Sequence, residues 1–142
     1  MSLSGSGITR KGFLDSPETY NQPKCYVRIG DDLKNIQCYE LVEILLSTRG
    51  FESLVCNEVT SKCVEVRSTD KLVITEVSGN EVFISVKEGD YVKQGDRLGY
   101  IVTNKGEVRG LRSDVEGVVV LVHEVPTSRP SKVLVFIKES GG

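Results

Sequence analysis

The side chains of this 142-residue chain that could do chemistry form a few small sets. Cys25, Cys38, Cys56 and Cys63 have 12, 17 and 6 residues between them, without the Cys-x-x-Cys spacing on which zinc sites usually depend. For a cytosolic chain this reads as reduced, mostly buried thiols, with Cys56 and Cys63 the best-placed pair for a metal or redox role. His123 is the single histidine and sits in a Val-rich run with no acid and nucleophile at motif spacing, so neither a hydrolase triad nor a histidine metal site is supported. Asp90 and Asp96 each follow a glycine and read as turn residues rather than an acid–base pair. Arg109, Arg112, Arg129 and Lys132 could form a small basic face and read as solvated surface. No Gly-x-Gly-x-x-Gly or Gly-x-x-x-x-Gly-Lys-Ser/Thr phosphate loop occurs. The expectation is therefore a protein without enzymatic activity of its own.

Composition points the same way. With 39% hydrophobic and 27% charged residues the chain resembles an ordinary globular domain rather than a disordered one. Eight basic and ten acidic residues precede Lys71, and ten of each follow from there, so neither part has the excess of cations that a dedicated nucleic-acid binder uses. No apolar run is longer than that from Val118 to Val122, far short of the roughly 20 residues that cross a bilayer. The N-terminus lacks the basic start and apolar middle of a secretory signal, and the expected compartment is the cytoplasm.

The elements follow from periodicity. Residues 1–12 are small and polar and are expected to be a flexible tail. Cys25, Val27 and Ile29 alternate as a strand that Gly30-Asp31-Asp32 ends with a turn. Cys38, Leu41, Val42, Leu45 and Leu46 then fall on one helical stripe, with Gly50 as its stop. From Phe51 the period becomes two. Short Val-rich runs recur at Leu54–Cys56, Cys63–Val66, Leu72–Val77, Glu81–Val86, Arg97–Thr103, Glu107–Leu111, Val118–Val125 and Val133–Lys138, which argues for a small barrel or sandwich from about Lys71 onward. That part also repeats itself. Val77-Ser78-Gly79 with Val82 and Ile84 matches Val115-Glu116-Gly117 with Val120 and Val122 at an offset of 38, and Leu98/Ile101 matches Leu134/Ile137 at 36.

The densest pattern is Gly89-Asp90-x-Val92-x-x-Gly95-Asp96-x-Leu98-x-x-Ile101-x-Thr103-x-Lys105. Each glycine accepts positive φ and each following aspartate can bond back to nearby amides, so each pair fixes a tight corner. Asn104 and Gly106 tolerate a tight reversal around Lys105. This pattern resembles the lipoyl and biotinyl carrier domains, more the lipoyl type at the lysine, and the likeness continues through Ser113-Asp114-Val115-Glu116-Gly117-Val118-Val119. The chain also resembles an uncharacterised family of small archaeal proteins with such a fold. The resemblance implies a flattened barrel of two sheets, a barrel-sandwich hybrid, with Lys105 on an exposed hairpin. In true carriers that lysine is amide-linked to lipoate or biotin, and the arm swings between active sites of a larger complex.

Three departures separate this chain from the carriers. The only methionine is Met1, whereas biotinyl domains flank their lysine with methionines. The lipoyl Glu-Thr-Asp-Lys-Ala is replaced by Val102-Thr103-Asn104-Lys105-Gly106, which lacks two acids that attaching enzymes recognise. The stretch from Lys105 to Gly117 is one residue longer than the lipoyl pattern, which predicts a bulge near Gly110.

The expected fold is thus mainly β, a lipoyl/biotinyl-like barrel-sandwich hybrid over 71–138 preceded by a small α+β segment over 13–70 whose helix covers a face or open edge of the barrel. Gly89, Asp90, Gly95, Asp96 and Gly117 are its structural turn residues. The first functional expectation is a non-catalytic binding or scaffold module inside or beside a larger enzyme complex, with no cofactor, nucleic acid or membrane. The second is a swinging-arm carrier with lipoate, less readily biotin, on Lys105. The third is a metal- or redox-responsive protein using Cys56 and Cys63. If left uncovered, the helical stripe would mediate homo-oligomer formation.

Overall fold

The computed structural model describes residues 23–47, 51–125 and 130–140. The tail over 1–12, Gly50 as helix stop and Arg129 lie outside these residues. Within them the chain is mainly β, with one helix and three antiparallel sheets.

The first sheet contains β1 (Lys24–Ile29), β2 (Asp32–Ile36), β3 (Ser53–Asn57) and β4 (Lys62–Val66) in the order β2-β1-β3-β4. Periodicity predicts a turn at Gly30-Asp31-Asp32 and then the helix, with no strand between them. In fact Gly30, at φ 62°, reverses the chain into β2, which pairs Ile29 with Asp32 through Cys25 with Ile36. Periodicity misses β2 because its first four residues are exposed, as expected of an edge strand. The helix α1 (Cys38–Ser47) starts where Glu40 accepts the Gln37 N–H at 3.1 Å and donates its own N–H to the Gln37 carbonyl, a capping arrangement that satisfies donors at the helix start. Leu41 and Val42 are buried, but Leu46 is exposed, so the packed stripe is narrower than the periodicity implies.

The second sheet, order β5-β11-β10-β7, contains β5 (Leu72–Gly79), β7 (Tyr91–Val92), β10 (Gly117–Glu124) and β11 (Ser131–Glu139). The third, order β6-β8-β9, contains β6 (Glu81–Ile84), β8 (Arg97–Val102) and β9 (Val108–Arg112). The second sheet is the middle layer, which explains why β10 and β11 read as continuous apolar runs: both of their faces are covered. Val120, Leu121, Leu134 and Phe136 pack with Cys25, Leu41, Val42, Val55, Val64 and Val66 of the first sheet and helix. On the other side Val119, Val133, Val135 and Ile137 pack with Val92 and Leu98, and with Val82, Ile84 and Leu111 of the third sheet. Helix α1 and the first sheet therefore cover one face of β10–β11.

The β10–β11 register shifts between Val119 and Leu121. The extra residue lets the consecutive side chains Val120 and Leu121 join the same cluster, while Val119 and Val122 join the other. A second irregularity lies between Arg97 and Gly99 on β8. The bulge expected near Gly110 is not there: Gly110 pairs directly with Tyr100, and the irregularity falls on the partner strand instead.

The internal repeat has a geometric counterpart. β6 pairs with β8 as β10 pairs with β11. A Cβ on Gly79 would lie 3.2 Å from the Val102 carbonyl oxygen, and one on Gly117 2.1 Å from that of Lys138. These two close approaches are related by the same offsets of 38 and 36 that relate the apolar positions.

Candidate functional site

The two Gly-Asp pairs form two copies of one corner. At the first, the Lys87 N–H donates to Asp90 Oδ2 at 2.9 Å and the Asp90 N–H to the Lys87 carbonyl at 3.0 Å, with Gly89 at φ 94°. At the second, the Lys93 N–H donates to Asp96 Oδ2 at 2.8 Å and the Asp96 N–H to the Lys93 carbonyl at 2.9 Å, with Gly95 at φ 91°. Each corner is also stitched to a neighbour. The Gly89 N–H bonds the Val119 carbonyl and the Val119 N–H the Asp90 carbonyl, while Gly95 and Asp96 bond Ser113 in the same way, all at 2.8 Å. Both carboxylates thus accept a hydrogen bond within their own turns. A third closure of this kind, which the sequence reading misses for want of a glycine, joins the Arg67 N–H to Asp70 Oδ2 at 2.8 Å.

These corners set the direction of β8, and Lys105 is exposed in the connection between β8 and β9. Thr103 closes that hairpin: its N–H donates to the Glu107 carbonyl at 2.8 Å, its carbonyl accepts from Gly106 at 2.9 Å, and its Oγ1 accepts the Glu107 N–H at 3.1 Å. Gly106 takes positive φ, 84°, whereas Asn104 does not.

The outer face of this sheet bears a feature that the sequence reading misses. Phe83 and Tyr100 are directly opposed on β6 and β8 and stack with ring centroids 4.8 Å apart and planes at 24°. They are 43% and 40% exposed, an unusual placement for a stacked aromatic pair of this size. Next in the row is Gly110, where an added Cβ would meet only Arg97 Nε at 4.0 Å, so there is open space beside Tyr100. The available signal was parity: Phe83 alternates with the core-facing Val82 and Ile84. Arg97, Arg109, Arg112 and Lys105 lie on the same two strands and their hairpin, with Glu107 pairing Arg109 at 3.5 Å and Arg112 Nη1 donating to the Gly95 carbonyl at 3.0 Å. Lys132 belongs to the other sheet and faces Glu76 at 3.6 Å, so the four-residue basic face considered from sequence does not assemble among the described residues.

Between the layers lies a buried carboxylate that the sequence reading does not single out. Glu88, only 4% exposed, accepts from Asn57 Nδ2 at 2.9 Å and, through its other oxygen, from the Val122 N–H at 2.9 Å. His123, half-buried on β10, has its imidazole pKa lowered by burial, with Glu124 opposing that shift more weakly.

The cysteine expectation is overturned. Cys25 is bonded to Cys38 and Cys56 to Cys63, and among the described residues no thiol is free. The expectation rested on compartment, whereas the fold places the partners close enough to bond: Cα–Cα distances are 5.3 and 4.0 Å. In this state neither Cys56 nor Cys63 offers a thiolate to a metal, and no group of three or more His, Cys, Asp or Glu suited to a metal ion occurs among the described residues. No helix among them is long and apolar enough to cross a membrane.

Residues 15–140 match the profile of a family described as "Uncharacterized protein conserved in archaea (DUF2118)". A curated relative, the uncharacterized protein MJ0859 of Methanocaldococcus jannaschii, is 26% identical over 131 residues, an alignment that spans 89% of this chain and 76% of the relative.

Proposed function

The chain belongs to the family of uncharacterized archaeal proteins DUF2118, and from its geometry we propose that it is a non-catalytic docking module with a lipoyl/biotinyl-like fold, working inside or beside a larger protein assembly. Support for that fold comes from the two facing sheets, β5-β11-β10-β7 and β6-β8-β9, from the repeated pairing of β6 with β8 and β10 with β11, and from an amine in the connection between β8 and β9. The observation that carries the docking function is the exposed Phe83–Tyr100 stack. The Gly-Asp aspartates close corners, and the cysteines, on the far side of the middle sheet, are bonded to one another. An aromatic pair in solvent is the kind of anchor on which protein interfaces concentrate binding energy.

The occupant of this face is an apolar segment of a partner protein that carries acidic side chains. On the face of the aromatic pair, Arg97 beside Gly110 and Arg112 two residues on from it, against Glu81 two residues from Phe83, favour carboxylates at the rim. The test is quantitative cross-linking in the native host with wild-type protein and a Phe83→Ala/Tyr100→Ala variant. A stoichiometric partner present with the wild type and lost with an equally folded variant supports the reading. A partner retained by the variant rejects it.

A second reading rests on the exposure of Lys105, which suits a modifying ligase. In that case lipoate is the attached group and Lys105 its carrier. Intact-mass analysis of protein from its native host decides: an adduct mapped to Lys105 establishes the carrier, and an unmodified mass removes it.

A further inference from the structure

The two disulfides differ in access. Cys25 is fully buried among Leu41, Val42 and Val55 and its partner Cys38 is half-buried against the same cluster, whereas Cys56 and Cys63 point away from it, Cys56 half-buried and Cys63 exposed. The alternation along β3 and β4 makes this so: Val55, Asn57, Val64 and Val66 take the inward positions and leave the outward ones to the cysteines. A reductant needs access to a sulfur atom, and exposed disulfides are the labile ones.

A second, independent observation gives the exposed disulfide a consequence. Cys56 faces Cys63 across β3 and β4, and the next pair toward the turn is Asn57 opposite Lys62. Both of these neighbours hold the first Gly-Asp corner. Asn57 Nδ2 donates to Glu88, and the Lys62 side chain packs so closely on Gly89 that a Cβ there would lie 2.7 Å from Lys62 Cβ. Glu88 in turn accepts the Val122 N–H of the middle sheet. The disulfide thus staples the end of a hairpin whose last two residues clasp the barrel-side corner.

We propose that Cys56–Cys63 is a thiol–disulfide exchange site for a dithiol reductant, and that its opening frees the end of the β3–β4 hairpin from Glu88 and Gly89. One thiolate of the reductant attacks the exposed Cys63 sulfur, the Cys56–Cys63 bond breaks, and the Cys56 thiolate leaves and takes up a proton. The reductant's second thiolate then attacks its own sulfur in the mixed disulfide, releasing Cys63 as the second thiolate, which is also protonated. The protein gains two electrons and two protons, and the dithiol becomes a disulfide. Reoxidation by a disulfide of the same class reverses the sequence. The inference does not depend on the docking function or on the state of Lys105.

The experiment equilibrates the folded, fully oxidised chain in graded mixtures of reduced and oxidised dithiothreitol, alkylates rapidly, maps the modified cysteines by mass spectrometry and follows exchange of the Val122 amide. Cys56 and Cys63 are expected to be alkylated together, at a less reducing poise than Cys25 and Cys38, and the Val122 amide to exchange roughly tenfold faster once they are. A Cys56→Ser/Cys63→Ser variant is expected to show the faster exchange without reductant. Opening of Cys25–Cys38 first or simultaneously, or a Val122 amide unchanged in reduced wild-type protein, would overturn the proposal.

Discussion

Asn57 donates its side-chain amide to Glu88 at 2.9 Å, joining the first sheet to a carboxylate that also accepts a backbone N–H from the middle sheet. The link is buried, so its components have little water to turn to. Replacing Glu88 by Ala leaves the Asn57 amide and the Val122 N–H without their acceptor, at a cost of about 2 kcal/mol. Urea unfolding measures it, with Glu88→Gln expected to lose less because one carbonyl oxygen remains. A Glu88→Ala protein as stable as the wild type would mean the link is not a structural one.

Two glycines of the third sheet should differ sharply in tolerance. A Cβ at Gly99 would sit 2.0 Å from the Phe83 carbonyl oxygen, whereas one at Gly110 meets nothing nearer than 4.0 Å. Gly99→Ala must separate β6 from β8 and is expected to cost about 2 kcal/mol or more, while Gly110→Ala stays within about 0.5 kcal/mol. Thermal unfolding of the pair checks the contrast, and equal melting temperatures would contradict the close pairing.

Phe136 is fully buried in the cluster that joins the first sheet to the middle one. Its replacement by Ala is expected to destabilise the chain by about 3–5 kcal/mol, through lost burial and the cavity left behind. The aromatic pair on the outer face behaves otherwise: Phe83→Ala should cost only about 1 kcal/mol, because half its surface is already wet and the ring contact is what is lost. A chemical-denaturation series that ranked Phe83→Ala above Phe136→Ala would reverse the assignment of core and surface.

His123 sets a pH dependence. Burial holds its folded pKa below the unfolded value of about 6.5, so the unfolded chain binds the proton more readily. Its contribution to stability is complete above about pH 6.5 and declines as the pH falls from there through the folded pKa. The slope of stability against pH in that window should flatten in His123→Gln, measured by denaturant titration at a series of pH values. An unchanged slope would assign the dependence to other groups.

Much of the fold can be read from local sequence because local chemistry decides it. Glycine followed by aspartate closes a turn wherever the chain places it, and the helix stripe, the Val-rich strands and the repeat at offsets of 38 and 36 are similarly local or periodic signals. The exposed strand β2 and the two-residue β7 carry no such period and become visible only through their partners.

The cysteines, Glu88 and the aromatic pair depend on what is brought opposite them, and no local rule states that. Four cysteines allow three pairings, and only the approach of Cys25 to Cys38 and the β3–β4 register of Cys56 with Cys63 selects one. Glu88 reads as one more surface acid until the hairpin end at Asn57 and the bulged strand at Val122 close over it. The alternation of Phe83 with Val82 and Ile84 gives it the opposite face, but only the packing of the middle sheet on the Val82 and Ile84 side decides that the rings of Phe83 and Tyr100 are left in water. The sequence by itself therefore determined the turns, most strands and the helix, which follow from the conformational preferences of a few consecutive residues. Tertiary structure alone decided which sulfurs bond, which carboxylate is buried and which aromatics face outward, because these depend on which residues the strand registers and sheet packing bring opposite one another.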